Sequence, residues 1–478
     1  MYNKAVMSMQ PRPPIVTIMG HVDHGKTTLL DYIRSTRVAQ KEFGGITQHI
    51  GAYQAEIVTG SSKRLITFID TPGHAAFKQM RSRGGNAADL VILVVAASEG
   101  VKPQTVESIG LISQSNTPFL VALTKMDMAA ANPDKVKSEL AEHGCLVEGY
   151  GGKVPVVEVS AQTGQGIDEL LETILLMADM LDIRSDPDAP LSALVIETEK
   201  DKQKGIVASA IVHTGTMSIK DSIFAGSAEA KVKALLDFRS RPMQKALPGD
   251  PVQILGWNSL PEVGSQITSI KTGLTNVLNQ TSNPNDAIVT CIIKADTQGS
   301  LDAIIYSLPK QVAVLTAEVG EPNNNDVVMA KTANARIVTF NVEVPLAVRN
   351  AAEVEKVKIY NYTIIYELLD ILDDLVKRTI NPYYDRDIIG KAEVLADFKI
   401  EKHRIAGCKV IEGEIIDDIA VDVVRNNNVV GTSRISSLKQ AKQSIAKATI
   451  NQEFGCILQP YVDFRVKDLL VAFKPKKQ

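Results

Sequence analysis

Met19-Gly20-His21-Val22-Asp23-His24-Gly25-Lys26-Thr27-Thr28 decides the fold of this chain. The run fits G-x-x-x-x-G-K-[ST], a loop whose backbone amides wrap the phosphates of a nucleoside triphosphate. Its flanks agree. Ile15-Val16-Thr17-Ile18 reads as a short buried strand, and Leu29, Leu30 and Ile33 give an apolar face to a helix opening at Lys26. A strand feeding a helix through such a loop aims N–H groups and the helix's positive end at the phosphates. Gly20 and Gly25 allow close backbone approach, His21, Val22, Asp23 and His24 form the turn between them, and Thr28 follows into the helix. Lys26 neutralises phosphate charge, and the Thr27 hydroxyl suits Mg²⁺.

Working outward, strands are predicted at Leu65–Ile69, Leu90–Ala96, Phe119–Leu123 and Val154–Val159, with helices such as Thr105–Ser113 and Pro133–His143 between them. Alternation of this kind predicts a mostly parallel sheet with ligands at the carboxyl ends of its strands. The chemistry-bearing residues fall at those ends. Asp70-Thr71-Pro72-Gly73-His74 offers a carboxylate for the Mg²⁺ shell and a Gly73 N–H for a γ-phosphate. Thr124-Lys125-Met126-Asp127 offers a carboxylate matched to the N1–H and exocyclic amine of guanine, a pairing that adenine lacks. The Thr in place of the usual Asn at position 124 predicts looser bracing of this element. Ser160 and Ala161 follow the last strand, where a backbone N–H can meet the guanine carbonyl. Order and spacing together predict a GTPase.

Composition bounds the rest. At 478 residues the length suggests about three domains. The net charge of −3 gives no global footprint for nucleic acid, so RNA contacts must come from local basic patches. Cys145, Cys291, Cys408 and Cys456 are scattered, which argues against a zinc site or a disulfide framework and fits a reducing compartment. No apolar run reaches membrane-spanning length and Met1–Gln10 lacks a signal peptide's apolar core, so a cytoplasmic protein without membrane contact is expected. His143 and His213 read as surface residues.

Gly20-His21-Val22-Asp23-His24-Gly25-Lys26-Thr27 with Asp70-Thr71-Pro72-Gly73-His74 resembles the translational GTPases. The stretch Gly44-Gly45-Ile46-Thr47-Gln48-His49-Ile50-Gly51-Ala52-Tyr53 resembles the bacterial translation initiation factor 2 family more than the elongation factors. The likeness continues through Lys294-Ala295-Asp296-Thr297-Gln298-Gly299-Ser300 and Ala406-Gly407-Cys408. It implies a multidomain α/β and β chain. Its parts are a tail over 1–12, a P-loop GTPase α/β domain over 13–183, a small β-barrel over 192–275, an α/β/α third domain over 286–362, a connecting helix over 363–380 and a C-terminal β-barrel over 383–478. Asp182–Ser192 and Asn276–Asp286 read as linkers. Gly320–Asp326 departs from the family's loop, which weakens the expectation of a ribosome contact there.

The resemblance also implies roles. Thr47 ligates Mg²⁺ with Thr27 and Asp70 and senses the γ-phosphate. His74 positions the attacking water, Val22 and Ile46 form an apolar gate before it, and Asp23 orders the activated loop. Cys408, Lys439, Glu453 and Gly455 line a pocket for the formylmethionyl end of initiator tRNA. Phe454 stands there for a small Cys, and Gln440-Ala441 replaces a basic-aromatic pair. The implied cofactors are GTP/GDP and Mg²⁺. The implied partners are both ribosomal subunits, formylmethionyl initiator tRNA and other initiation factors, acting on a monomer. Two other readings compete: a GTP-dependent ribosome-binding scaffold or assembly factor without formylmethionyl recognition, and a tRNA-delivering elongation-type factor, against which Gly44–Tyr53 and the domains after 286 argue.

Overall fold

The computed structural model describes residues 9–34, 51–59, 62–71, 87–270, 288–380, 386–400, 403–425, 428–441 and 443–475. It contains two compact units, one ending at Leu372 and the other beginning at Asp373.

The first unit opens with a six-stranded sheet. Its strands are β1 (Ile15–Gly20), β2 (Gly51–Thr59), β3 (Ser62–Asp70), β4 (Leu90–Ala96), β5 (Phe119–Thr124) and β6 (Val156–Glu158), in the order β2-β3-β1-β4-β5-β6. All neighbours pair in parallel except β2, which lies antiparallel on β3 at the edge. Helices α1 (Lys26–Arg34), α2 (Pro103–Ser115), α3 (Pro133–Glu142) and α4 (Ile167–Met180) connect or follow the strands. Every residue of β1 and β4 is buried, as expected of central parallel strands covered on both faces.

Strands β7 (Ser192–Asp201), β8 (Gly205–Thr214), β9 (Ser222–Ala225), β10 (Ala228–Leu236), β11 (Pro251–Trp257) and β12 (Gln266–Thr268) follow. They pair in the order β9-β12-β7-β8-β11-β10, and β10 pairs back onto β9, closing a six-stranded barrel. The barrel is tied to the nucleotide domain through Gly249, whose carbonyl accepts from Thr67 Oγ1 at 2.6 Å. Then β13 (Val289–Ala295), β14 (Val312–Val319), β15 (Arg336–Phe340) and β16 (Ile359–Tyr362) form a parallel sheet ordered β14-β13-β15-β16. Helices α5 (Gln298–Ser307), α6 (Asn324–Thr332) and α7 (Leu346–Val354) accompany it. The Glu197 carboxylate of the barrel accepts from the Gly299 N–H in the first turn of α5 at 3.1 Å.

Helix α8 (Ile365–Ile380) carries the predicted apolar stripe: Ile365, Leu368, Leu372, Leu375 and Val376 are all buried. The second unit holds β17 (Arg386–Ile400), β18 (His403–Ile416), β19 (Ala420–Arg425), β20 (Asn428–Gln440), β21 (Glu453–Gln459) and β22 (Leu469–Pro475). They run in the order β17-β22-β19-β20-β21-β18, and β18 pairs with β17 to close the ring.

Three expectations need correction. The 1–12 tail and the 182–192 linker are joined to each other: Gln10 and Pro11 pair antiparallel with Ser185 and Arg184, and Arg12 bridges Asp89 at 2.7 Å. His213 is half-buried rather than on the surface, and burial, with Arg12 as a cationic neighbour, lowers its pKa. Gly320–Asp326 is a helix start as much as a loop. Asn323 caps α6 by accepting from the Asn325 and Asp326 N–H groups, and Asp326 returns the favour at the Asn323 N–H.

Candidate functional site

Three loops converge at the carboxyl ends of β1, β4 and β5. The phosphate loop leaves β1 with Gly20 at φ 145°, Asp23 at φ 63° and Gly25 at φ 86°. Such left-handed residues turn successive N–H groups inward and make an anion-binding concavity. Val22 is fixed from outside the loop, its N–H donating to Gln104 Oε1 of α2 at 2.9 Å. The buried Lys26 ammonium donates to the Gly20 carbonyl at 3.0 Å and the His21 carbonyl at 2.6 Å, which holds it across the loop. Thr27 and Thr28 open α1. Asp70, the last residue of β3, is 6% exposed, and the Thr71 hydroxyl donates to the Ile18 carbonyl of β1 at 2.6 Å. This bond fixes the exit of β3 beside the exit of β1.

Asp127 and Ser160, both expected on the guanine side, are hydrogen-bonded to each other. Lys125 stands at φ 59° just past β5 and pairs with Glu99 at 2.7 Å. Asp127 is exposed, and its Oδ1 accepts from the buried Ser160 hydroxyl at 2.6 Å. Ser160 also accepts from the Thr163 N–H at 3.2 Å, and Ala161 follows it. The expectation of loose bracing at Thr124 is overturned. Its Oγ1 donates to the His24 carbonyl at 2.5 Å, so the short hydroxyl ties the base-side strand directly to the phosphate loop. Two contributors escaped the sequence reading. Glu99 follows the buried β4 run in Ala96-Ala97-Ser98-Glu99-Gly100, a strand-end position of the same kind as Asp70. Gln104 had no signal beyond its place in the first turn of α2. Ile46, Thr47, Gly73 and His74 lie outside the described residues.

His24 is wholly buried, stands edge-on to His21 at 4.9 Å and lies 4.0 Å from Glu99. Burial, reinforced by His21, lowers its pKa from 6.5 to about 4. Above pH 6.5 both folded and unfolded states are neutral here. Between 6.5 and about 4 only the unfolded chain takes up the proton, so stability falls on acidification through this window. The loss attributable to His24 should reach roughly 2–3 kcal/mol at its acid end. Denaturant melts at about pH 7.5 and about pH 4.5 should therefore show a shallower pH dependence for His24→Leu than for the parent. Parallel pH dependences would remove His24 as the cause.

The C-terminal residues separate. On the outer face of the second barrel the register aligns Lys439 (β20), Gly455 (β21), Gly407 (β18) and Ala396 (β17) in one row. Ser437, Ile457, Ile405 and Phe398 form the next row on one side, and Glu453, Lys409 and Glu393 the next on the other. Small residues between an apolar bank and a charged bank make a trench. Phe398 leans over it: a Cβ on Gly407 would lie 2.9 Å from its ring, and one on Gly455 would lie 3.2 Å from Ile405 Cγ2. Lys439, Glu453 and Gly455 thus share the trench, but Cys408 does not. Cys408 is 1% exposed and points into the barrel, paired in register with Phe454, itself 4% exposed. The hydrogen bond with Cys456, together with burial, raises the Cys408 pKa and keeps the thiol neutral. Phe454 consequently fills the core rather than narrowing a surface pocket.

Comparison with known proteins agrees with this architecture. The Elongation factor Tu GTP binding domain pattern matches residues 12–180, Elongation factor G domain 2 matches 190–270, and Translation-initiation factor 2 matches 265–373. Translation initiation factor IF-2 of Thermus thermophilus is 38% identical over 502 residues, covering 98% of this chain and 87% of that protein. The protein of the same name from Thermoanaerobacter sp. is 40% identical over 499 residues, covering 98% of this chain and 72% of that one. The crystal structure of GDP-bound aIF5B from Aeropyrum pernix is 27% identical, covers 97% of this chain and 92% of that one, and superposes with a TM-score of 0.48. A phosphate loop braced by a guanine-type element, carried on a chain this similar over nearly its whole length, places the protein in the translation initiation factor 2 family of GTPases.

Proposed function

We propose that this GTPase brings formylmethionyl initiator tRNA to the small ribosomal subunit, promotes joining of the large subunit and leaves after ribosome-triggered hydrolysis of GTP, in the cytoplasm and alongside other initiation factors. The trench of the second barrel carries this reading. Its glycine floor and apolar bank suit a methionyl chain, and Lys439 stands at one end for an RNA phosphate.

At the nucleotide site the residues fit Mg²⁺ and a triphosphate. The Thr27 hydroxyl and the buried Asp70 carboxylate are hard oxygen donors, joined by Thr47 in the family's scheme. Bound there, the metal ion neutralises charge on the β- and γ-phosphates. Lys26 adds its positive charge at the same place, and the loop N–H groups supply oriented donors. His74 positions the attacking water once the ribosome moves it past the Val22 and Ile46 gate, while Asp23 orders the loop. No helix among the described residues is long and apolar enough to cross a membrane.

The test is binding of methionyl initiator tRNA, formylated and not, to the full chain at fixed salt, with Gly455→Val alongside. Formylated tRNA should bind at least about tenfold more tightly, and the valine, set against Ile405, should abolish that preference. Equal binding of both tRNAs would favour the scaffold reading, in which the trench has no formylmethionyl cargo.

A further inference from the structure

A cavity of about 610 Å³ lies between the nucleotide domain and the first barrel, and its walls come from both. From the nucleotide domain come Arg34 at the end of α1, and Tyr53 and Glu56 on the edge strand β2. Phe238, Arg239 and Gln253 come from the barrel. This volume falls within the roughly 300–1,000 Å³ range of small-molecule sites.

Its polar atoms are unmatched in a consistent way. Tyr53 is 2% exposed, stacked on Phe68, and its hydroxyl has no hydrogen bond of normal geometry among the described residues. The Arg34 guanidinium lies 3.5 Å from the Tyr53 ring centroid and interacts with the Tyr53 hydroxyl, while its buried Nε has no partner among the described residues. Across the cavity, the Gln253 Oε1 acceptor is buried and unmatched. Buried polar groups are seldom left so, and each one costs free energy until something pairs with it. Charge points the same way. Neither Arg34 nor Arg239 has a carboxylate partner among the described residues, whereas Glu56 is already paired with Lys63 at 2.7 Å. Arg34 and Arg239 thus give the wall two cations, while the Asp31 and Asp70 carboxylates also act on Tyr53 from the nucleotide-domain side. Half-buried Phe238, with the Arg239 guanidinium 5.1 Å from its ring centroid, adds a flat apolar wall.

We infer that this cleft is a second ligand site, one that takes a nucleotide carrying a terminal phosphate, either free or as the end of a single-stranded RNA. The Arg34 Nε–H and the Tyr53 hydroxyl donate to an oxyanion, Phe238 and Arg239 face the base, and Gln253 accepts from a ring amine. Because the walls belong to two domains, an occupant fastens them together. The inference stands apart from the tRNA reading of the second barrel, since no residue is shared.

The experiment is calorimetric titration of the full chain, saturated with GDP so that the phosphate loop is filled. Adenosine 5′-monophosphate, adenosine and a short single-stranded oligoadenylate with a terminal phosphate serve as probes. The monophosphate, the oligonucleotide or both should bind, with adenosine at least about tenfold weaker. Binding of the monophosphate alone identifies a free nucleotide as the source of the chemistry, and tighter binding of the oligonucleotide identifies an RNA end. Arg239→Ala and Gln253→Leu, one exposed and one at the cavity wall, should each weaken the bound probe about tenfold and leave GDP affinity unchanged. No heat from either phosphorylated probe, or full binding by both variants, overturns the inference.

Discussion

Asp127→Asn should exchange guanine for xanthine preference, with GTP affinity falling by about a hundredfold or more and xanthosine triphosphate becoming the better ligand. In the base site proposed for it the carboxylate accepts two donors from guanine, and its bond to Ser160 fixes which atom must change. Oδ1 is held by the Ser160 hydroxyl at 2.6 Å, a donor that also suits the oxygen of an amide. The Asn oxygen therefore keeps that bond, and the new NH₂ takes the place of the oxygen facing the base. A donor then confronts the guanine amine, while xanthine presents a carbonyl at the same position. Direct titration of the parent and the variant with each triphosphate measures the exchange. A variant that still prefers GTP would remove Asp127 from the base site and leave the guanine selectivity of this chain to other groups.

The same pair of residues shows what could be read before the fold was known. The apolar runs Leu90–Ala96 and Phe119–Leu123 announce strands because central parallel strands are buried on both faces, and a chemical residue after such a run is thereby placed at the ligand edge. Asp70, Asp127 and Ser160 were legible on that ground, and Glu99 was equally available by it. Thr124 was misjudged because its value depends on a carbonyl one hundred positions earlier in the chain, at His24. No local pattern encodes a pairing of that span. Cys408 failed for a different reason. Successive strand residues face opposite sides, so Cys408 points inward between the outward Gly407 and Lys409, and which of the two faces is the inner one is decided only when the barrel closes. The closure of each barrel, β10 on β9 and β18 on β17, is likewise non-local. Resemblance to a family supplied the domain order, but it could not tell that Phe454 faces inward.

Gly20→Ala should unfold the nucleotide domain more readily by at least about 3 kcal/mol and abolish GDP binding, whereas Gly25→Ala should cost about 1–2 kcal/mol. Both glycines sit at positive φ, 145° and 86°, where an L side chain is strained. They differ in what surrounds them. A Cβ on Gly25 would come no closer than 3.8 Å to Thr124 Oγ1, so strain is the main penalty. A Cβ on Gly20 would lie 2.3 Å from the Val94 carbonyl oxygen, a backbone atom of the central strand that cannot rotate away. Gly20 is paired in register with Val94, so relief requires β1 and β4 to part at the place where the phosphate loop begins. The Gly20 carbonyl also holds the Lys26 ammonium, and its displacement therefore carries the phosphate-binding cation with it. Denaturant melts of the full chain, followed with GDP titration, separate the two variants. Equal destabilisation by both would show that backbone strain alone governs the loop; a much larger loss for Gly20→Ala would show that the sheet and the phosphate site meet at one atom-sized gap, where only hydrogen fits.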